Sequence, residues 1–378
     1  MKVALVCAWY HPRVGGIELH LHDLATRLIG AGHDVVVVTP TPGPPVVDGV
    51  RVSRVRAPRA PGFGFLITPG GVRALTRAIA AEAPRVVHAH VSIVSPAALG
   101  GAVSAERLGI PLAVTFHSVV PQTRALARVA GGALGASRWR ARLSAVSRRV
   151  ANDVQPFAPR QDIRVLPNGV DVAFWRTMPA RANAGDGAVQ LVSVMRLNAK
   201  KRPLALVRMM ERLRDSLPDR VHLRVVGDGP RRAALERAIA RARLHDRVEL
   251  LGRRTREEIR ALFAESDVFV LPTVRESFGL AALEARCAGL PVVAMRASGV
   301  AELVEHGRHG LLASSDVELT AHVGALVRDA RRRAAIAATN RQDAPPFDWP
   351  AVLDAHLALY DEAITERGRE ASSRSGGR

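Results

Sequence analysis

Short β-branched runs alternate with amphipathic stretches along nearly the whole chain, and the alternation occurs in two successive series. It predicts parallel sheets, because consecutive parallel strands must be joined by a crossover, which is usually a helix. In the first series the predicted strands lie at 3–7, 34–39, 85–90, 112–116 and 163–166. In the second series they lie at 189–195, 221–226, 247–251, 268–271 and 291–294. Stretches such as 18–30 and 71–83 are predicted helices.

The two series indicate two domains. A break at 178–187, with the sequence MPARANAGDG, separates them, and 378 residues exceed a typical single domain. We predict two Rossmann-like, doubly wound α/β domains at 1–170 and 171–346, followed by a helix at 347–366 and a disordered tail at 367–378. Domains of this kind bind ligands at the carboxyl ends of their strands. We therefore expect a site in a central cleft that the two domains face.

Composition argues against several protein classes. No apolar run reaches the roughly 18 residues that span a bilayer. The first residues, MKVALVCAWYHPRVGG, lack a signal-peptide cleavage pattern and are interpreted as a first strand. Cys7 and Cys287 are the only cysteines, too few for a disulfide framework or a zinc site. These features predict a protein of the reducing cytoplasm.

The formal net charge is +19, and nearly all of the positive charge is arginine. Between positions 49 and 150, 15 arginines stand against two acids, Glu82 and Glu106, for a local net charge of +13. Such a field favours a phosphate-bearing partner or an anionic membrane surface. An arginine-rich surface that meets only solvent explains the same numbers. A nucleic-acid partner is disfavoured, because the chain has no helix-turn-helix or basic–aromatic pattern.

Glycines and histidines stand at the predicted strand ends of the first domain. Gly15 and Gly16 open a helix whose amides attract phosphate, although an ordinary strand–helix turn uses the same pair. His117 follows the strand at 112–116, where a neutral imidazole can contact a substrate as donor, acceptor or proton relay. His88 and His90 end the preceding strand. A metal site at these histidines is disfavoured, because no carboxylate ligand lies nearby, and a buried core position fits one of the pair.

A basic loop, RLNAKKRP, follows the first strand of the second domain. Its Arg196 and Lys201 are placed to converge on one diphosphate, and lysine is a compact cation that contacts several phosphate oxygens. The chain has three lysines, and two of them, Lys200 and Lys201, lie in this loop. The pattern is therefore more specific than a run of charge. The alternative is a solvated basic loop.

The segment LPTVRESFGLAALE combines a strand end, a glycine-containing loop and a predicted helix that begins near Phe278. The amides of Phe278, Gly279 and Leu280 then point at an anion, which the helix dipole also favours. Glu276 precedes the turn, and Glu284 lies about two helical turns later. Carboxylates accept hydrogen bonds from sugar hydroxyls, so we expect the two acids to hold two sugars of one nucleotide-sugar. The acid–base pair of a hydrolase is a weaker interpretation, because the adjacent cations indicate a diphosphate.

Over nearly its whole length the chain resembles the family 4 retaining glycosyltransferases, which have the GT-B fold of two Rossmann-like domains. The matching pieces are GGIE, TFHS, LPNGVD, the Arg196…Lys201 loop, GDGP and the glutamates of ESFGLAALE. Their ordered combination is highly specific. The resemblance implies that the donor is a nucleotide-sugar and that Arg196 and Lys201 bind its diphosphate and stabilise the leaving nucleotide.

The same resemblance implies roles for four further residues. Glu276 would contact the transferred sugar, Glu284 the ribose, His117 the sugar near the reacting centre, and Gly16 the phosphates. The segment FDWPAVLDAHLALYDEAI is similar to the family's C-terminal helix, which crosses back onto the first domain. No cofactor and no metal are expected, because the donor is a substrate and the cations and helix amides neutralise the diphosphate.

The loop departs from the family pattern on both sides. Arg202 stands where a glycine usually follows the diphosphate lysine, and Met195 stands where a glycine commonly precedes the arginine. Neither change removes a charged ligand, but both can alter the geometry of the loop. The N-terminal half is also similar to enzymes that glycosylate phosphatidylinositol.

We therefore predict a retaining transferase that moves a hexosyl or N-acetylhexosaminyl unit from a UDP- or GDP-sugar. The acceptor is a phosphatidylinositol-type lipid or another cell-envelope precursor at the inner face of the plasma membrane, or a soluble small molecule. A lipid acceptor is supported by the segment RAPRAPGFGFLITPGGVRALTR, whose basic and apolar side chains together suit a membrane surface. These are Arg56, Arg59, Phe63, Phe65, Leu66, Ile67, Arg73 and Arg77. Packing of those apolar side chains on their own sheet fits equally well.

Two other enzyme classes are alternatives. A sugar-nucleotide epimerase or hydrolase would use the same fold and a similar donor site. A nicotinamide oxidoreductase is disfavoured, because no GxGxxG motif follows the first strand and no ribose-binding acid is correctly spaced.

Overall fold

The computed structural model describes residues 1–13, 15–56, 59–60, 64–65, 68–92, 95–118, 124–176, 187–217 and 220–375. The chain forms two compact units, one of Met1–Gly169 with Pro350–Arg378 and the other of Val170–Trp349. Most of the break predicted at 178–187 lies outside the described residues, which resume at Gly187.

The first unit is built on an eight-stranded sheet of order β10-β9-β8-β7-β1-β2-β4-β3. Neighbouring strands are parallel, except for the antiparallel pair β3–β4, and β5 and β6 form a separate ribbon. The strands are β1 (Lys2–Cys7), β2 (Asp34–Thr39), β3 (Val46–Val47), β4 (Val50–Arg54), β5 (Arg59–Ala60), β6 (Gly64–Phe65), β7 (Val86–Val91), β8 (Leu112–Phe116), β9 (Ala141–Ala145) and β10 (Ile163–Val165). The helices are α1 (Gly16–Gly30), α2 (Pro69–Glu82), α3 (Pro96–Leu108), α4 (Arg124–Ala133) and α5 (Arg148–Val154).

The central strands of this sheet are buried along their whole length. All six residues of β7, and all of β1 after Lys2, are buried. Strands covered by helices on both faces have near-continuous apolar sequences of this kind, which is why the sequence predicts them well. Helix α2 starts where its sequence dictates, because the Thr68 hydroxyl accepts from the Gly71 amide at 3.1 Å and Pro69 occupies the first turn.

The second unit has a six-stranded, fully parallel sheet of order β13-β12-β11-β14-β15-β16. Its strands are β11 (Val189–Val194), β12 (Val221–Val226), β13 (Val248–Gly252), β14 (Val268–Leu271), β15 (Val292–Met295) and β16 (Gly310–Ala313). Its helices are α6 (Val172–Arg176), α7 (Pro203–Ser216), α8 (Arg232–Arg241), α9 (Arg256–Ala264), α10 (Leu280–Cys287), α11 (Asp316–Arg328) and α12 (Ala330–Gln342). When its six strands are numbered 1 to 6 along the chain, the sheet has the order 3-2-1-4-5-6 of a Rossmann fold. Both units therefore have the predicted doubly wound α/β class.

The last helix, α13, runs from Trp349 to Ser375, and its residues from Pro350 onward belong to the first unit. The Tyr360 hydroxyl lies 2.9 Å from Nδ1 of His88 on β7. Both side chains are buried, so this helix closes over the centre of the first sheet.

The end of α13 differs from the sequence prediction. The sequence predicts a disordered tail at 367–378, whereas the helix continues to Ser375. Arg367 donates from Nε to the Gly109 carbonyl at 3.1 Å, and its NH1 lies 3.4 Å from the Glu106 carboxylate. These long-range contacts offset the poor helix propensity of the Gly- and Ser-containing sequence, and composition alone does not show them.

Candidate active site

The strand order of each sheet marks where a ligand is expected. In the second unit the order reverses between β11 and β14, the strands from which the chain winds in opposite directions. Ligands of open α/β sheets bind just beyond the carboxyl ends of the strands at such a point. The loop after β11 carries Arg196 and Lys201, and the loop after β14 carries Glu276. Three predicted site residues thus lie on the two loops that flank the reversal.

Lys201 and Glu276 form an ion pair between these two loops. Their side chains are 27% and 13% exposed, so the pair is partly shielded from solvent. Lys201 closes a short 3₁₀ turn, Ala199–Lys201, and donates its backbone amide to the Asn198 side chain at 3.0 Å. The Glu276 carbonyl accepts from the Gly299 amide at 2.8 Å. The sequence placed both residues at strand ends, and the sheet brings them together.

Arg196 differs from Lys201 in its surroundings. Its side chain is exposed, and in the part of the chain that the structure describes its guanidinium forms neither a hydrogen bond nor an ion pair. A charged group in this condition can bind an anion without first giving up a protein partner.

Helix α10 begins at Leu280 rather than at the predicted Phe278. Gly279 precedes it with φ +101°, and no side chain caps the helix. A Cβ at Gly279 would lie 2.6 Å from Val300 Cγ2, so the position requires glycine for both its backbone angle and its space. Among the described residues no acceptor meets the amides of Phe278, Gly279 and Leu280. They remain available to an anion, and Glu284 lies on the second turn of the same helix.

In the first unit His117 directly follows β8, and its backbone amide donates to the Val91 carbonyl at 2.8 Å. Its Nε2 lies 2.9 Å from Nδ1 of His90, and the two rings stack with centroids 5.2 Å apart. Burial lowers the pKa of His117 to about 3, helped by the neighbouring His356 and opposed by the side chain of Asn168. The imidazole is therefore neutral near pH 7.

Three further histidines surround this pair, and two of them, His20 and His356, were not predicted to be there. The ring of His20 on α1 lies 5.6 Å from that of His117, and the ring of His356 on α13 lies 6.2 Å from that of His20. His88 bonds through both ring nitrogens, to Tyr360 and to the Thr115 hydroxyl at 2.7 Å. Burial lowers the pKa of His88 and His90 well below the usual range.

The histidine cluster does not have the donor set of a metal centre. Within the described ranges no group of three or more His, Cys, Asp or Glu side chains is arranged to hold a metal ion. Both nitrogens of His88 are already bonded to hydroxyl groups. Because His90 and His117 are hydrogen-bonded to each other, the protonation state of one ring constrains that of the other.

Gly16 is the first residue of α1, as predicted. Gly15 precedes it as an extended N-cap without a side-chain hydrogen bond. A Cβ at Gly15 would lie 2.5 Å from Glu18 Oε2, so the buried Glu18 carboxylate packs against this turn. Arg13 Nε lies 3.5 Å from the same carboxylate.

The arginine-rich segment of the first unit is only partly described. Arg56, Arg73 and Arg77 have exposed side chains. Phe63, Leu66 and Ile67 lie outside the described residues, as do the side chains of Arg59 and Phe65. None of the described helices is long and apolar enough to cross a membrane.

Comparison with known proteins identifies the class that this fold and these loops define. A family model described as Glycosyltransferase Family 4 matches residues 14–174, and one described as Glycosyl transferases group 1 matches residues 188–329. Anabaena HepE, solved in complex with UDP-glucose, shares the fold with a TM-score of 0.75 at 24% identity, over 99% of this chain and 100% of that one. The protein is a glycosyltransferase of the GT-B fold.

Full-length relatives define the family. Glycogen synthase of Mycobacterium tuberculosis (strain ATCC 25618 / H37Rv) is 30% identical over 407 residues, covering 95% of this chain and 94% of the relative. D-inositol 3-phosphate glycosyltransferase of Pseudarthrobacter chlorophenolicus is 30% identical over 402 residues, covering 96% and 86%. The chain belongs to glycosyltransferase family 4, which confirms the resemblance found in its motifs.

Proposed function

We propose that the protein is a retaining, metal-independent glycosyltransferase that moves a hexosyl or N-acetylhexosaminyl unit from a UDP- or GDP-sugar. The observation that carries the proposal is the Lys201–Glu276 ion pair at the strand-order reversal of the second unit. It combines a cation for phosphate with a carboxylate for sugar hydroxyls, on the loop that leads to the uncapped start of α10. HepE, which shares the fold, binds UDP-glucose.

In the proposed complex Arg196 and Lys201 bind the donor diphosphate. Arg196 gives up no protein partner among the described residues, and Lys201 exchanges part of its contact with Glu276 for phosphate oxygens. Negative charge develops on the leaving nucleotide as the glycosidic bond breaks, so both cations bind the transition state more tightly than the ground state. The two cations and the amides of Phe278–Leu280 supply the neutralisation that a metal would otherwise give.

The remaining site residues would hold the sugars. Glu276 accepts from a hydroxyl of the transferred unit, and Glu284, on the second turn of α10, accepts from the ribose. His117 contacts the transferred sugar near the reacting carbon through Nδ1, because its Nε2 pairs with His90, and this nitrogen of the neutral imidazole either donates or accepts. Gly16, at the start of α1, offers its backbone to the phosphates. Retention of configuration is proposed because the ordered motifs resemble those of retaining enzymes.

We propose an anionic acceptor that meets the exposed arginines Arg56, Arg73 and Arg77 in the cytoplasm. One source is a phosphatidylinositol-type lipid or other envelope precursor at the inner face of the plasma membrane. Several surface arginines are sufficient to attach a protein to such an anionic surface without a spanning helix. The other is a soluble phosphorylated molecule. The names of several relatives, D-inositol 3-phosphate glycosyltransferases, favour the soluble source.

Product analysis tests the proposal. The enzyme is incubated with UDP-, GDP-, ADP- and TDP-sugars and with inositol 3-phosphate or phosphatidylinositol vesicles, with and without EDTA. We expect one donor to be consumed only with acceptor, EDTA to have no effect, and the product to keep the donor's anomeric configuration by NMR. Free sugar or isomerised donor formed without acceptor would identify a hydrolase or epimerase. Loss of activity with EDTA would contradict metal independence.

A further inference from the structure

Arg202, the residue after Lys201, has a backbone conformation that is unusual for its type. Its φ and ψ are +56° and +45°, in the left-handed region. A Cβ disfavours this region, and glycine, the family's usual residue here, adopts it freely. The first turn of α7 begins directly after it, at Pro203. Contacts elsewhere must offset the unfavourable backbone, and the side chain of Arg202 makes them.

The guanidinium of Arg202 joins three parts of the second unit. Its NH1 donates to the Pro272 carbonyl at 2.9 Å, just beyond the end of β14. Its NH2 donates to both oxygens of the Asp316 carboxylate, at 2.8 and 2.7 Å, in the first turn of α11. The loop after β11 is thereby fixed to the loop after β14 and to a helix more than a hundred residues away in the chain.

Two further hydrogen bonds hold the backbone of Lys201 in place. Its amide donates to Asn198 Oδ1 at 3.0 Å, and its carbonyl accepts from the Thr273 hydroxyl at 3.3 Å. Thr273 follows Pro272, the residue that accepts from Arg202. The peptide carrying the Lys201 ammonium is thus held on both sides, which limits where a long and flexible side chain can place its charge.

We propose that Arg202 is a positioning residue that acts through Lys201. Its attachment to Pro272 and Asp316 fixes the ammonium of Lys201 opposite Glu276, and so sets the preference of the site for a nucleoside diphosphate over a monophosphate. The inference rests on the proposed function. It goes beyond it by assigning diphosphate selectivity to a residue that departs from the family pattern and whose guanidinium is bonded to Pro272 and Asp316.

The test compares Arg202→Gly with two other variants. Glycine adopts the left-handed backbone without strain, so Arg202→Gly removes the guanidinium and its attachment while leaving the backbone conformation accessible. Asp316→Asn weakens the same attachment from the other end, because the amide keeps one acceptor oxygen but loses the second oxygen and the charge. Arg208→Gln is the matched control, because Arg208 NH2 lies 3.6 Å from the same carboxylate but makes no bond to Pro272 and is 55% exposed.

Calorimetry measures binding of whichever of UDP, GDP, ADP and TDP the wild type prefers, and of the corresponding monophosphate. For Arg202→Gly and Asp316→Asn we expect the Kd of the diphosphate to rise about 5- to 10-fold, or about 1.0–1.4 kcal/mol, while the Kd of the monophosphate stays within about twofold. Arg208→Gln should leave both values unchanged. In a Lys201→Ala background, Arg202→Gly should have no further effect on diphosphate affinity.

Other outcomes overturn the inference in distinguishable ways. Equal weakening of monophosphate and diphosphate would make Arg202 a general structural residue, and unchanged binding would remove any role. A full additional loss in the Lys201→Ala background would mean that Arg202 does not act through Lys201. If the wild type binds none of the four diphosphates, the proposed function itself fails and the inference falls with it.

Discussion

Nδ1 of His90 lies 2.9 Å from Nε2 of His117, inside a cluster of buried imidazoles in the first unit. Between two neutral rings one nitrogen donates and the other accepts, so the tautomer of His90 determines that of His117. His117 is the residue proposed to contact the transferred sugar. Whether the other ring nitrogen of His117 donates to the sugar or accepts from it is therefore set by His90, on the neighbouring strand.

Replacing His90 by Phe should impair transfer without weakening nucleotide binding. Phe fills a similar volume but leaves His117 without its hydrogen-bond partner, which typically costs about 0.5–1.5 kcal/mol. We expect kcat/KM to fall about 2- to 10-fold, while the Kd of the bare nucleoside diphosphate is unchanged by calorimetry. His90→Gln, which can replace the hydrogen bond, should restore part of the loss. Equal activity of both variants with the wild type would show that the His90 contact is dispensable.

Stability should fall as the pH falls below about 6.5. Burial lowers the pKa of His117 to about 3 and of His356 to about 4, so the unfolded chain binds protons in this window that the folded unit does not. For each such histidine the free energy of unfolding then drops by about 1.4 kcal/mol per pH unit below 6.5, until its folded pKa is reached.

Denaturant unfolding at pH 7.5, 6.5 and 5.5 measures this dependence. His356→Gln, which removes one titrating group, should show a smaller loss between pH 6.5 and 5.5, by about 1 kcal/mol. His322→Gln, on α11 of the second unit, is the control and should not change the loss in the first unit. An identical pH dependence in wild type and His356→Gln would contradict burial of a neutral His356.

Glu276 and Glu284 should have separable effects. Glu284→Ala should weaken binding of the bare nucleoside diphosphate, because it removes the proposed partner of the ribose, at a typical cost of about 1–3 kcal/mol. Glu276→Ala should not weaken that binding, because it frees the Lys201 ammonium for the diphosphate, and should lower kcat, because the proposed partner of Glu276 is the transferred sugar. Calorimetry for binding and initial rates for transfer decide between them. Equal losses of binding in the two variants would contradict the division of roles.

Vesicle co-sedimentation separates the lipid acceptor from the soluble one. If the first unit docks on membrane, the protein should bind vesicles containing phosphatidylinositol but not purely zwitterionic ones, and salt should weaken the binding. Arg56→Glu, Arg73→Glu and Arg77→Glu together should abolish it. The control charge reversals, at the exposed Arg231, Arg237 and Arg241 of the second unit, should not. No binding to anionic vesicles at low salt would favour the soluble acceptor.

The sequence predicted continuous apolar strands better than short or mixed ones. The bounds of β2, β8, β12 and β14 match the prediction, because covered parallel strands are continuous apolar runs. The prediction missed β9, whose sequence ARLSA contains Arg and Ser, and β16, whose sequence GLLA is four residues long. Such short segments become strands through pairing with β8 and β15, which a local pattern does not encode.

In the candidate site, too, local sequence predicts positions along the chain but not the contacts between distant segments. Strand-end positions made Lys201, Glu276 and His117 candidates. They did not predict that Lys201 meets Glu276, because that contact depends on β14 lying beside β11. The signal for Arg202 was an arginine in a place where glycine is usual, and its partner Asp316 is apparent only in three dimensions.

Removal of the Lys201 ammonium tests whether this cation binds the donor diphosphate. Lys201→Ala is compared with Lys200→Ala, a neighbouring exposed lysine of the same loop, after both are shown to melt at the wild-type temperature. We expect kcat/KM with the preferred nucleotide-sugar to fall about 30- to 1,000-fold in Lys201→Ala, or roughly 2–4 kcal/mol of transition-state stabilisation, and by less than about threefold in Lys200→Ala. Near-normal turnover by Lys201→Ala would contradict the account.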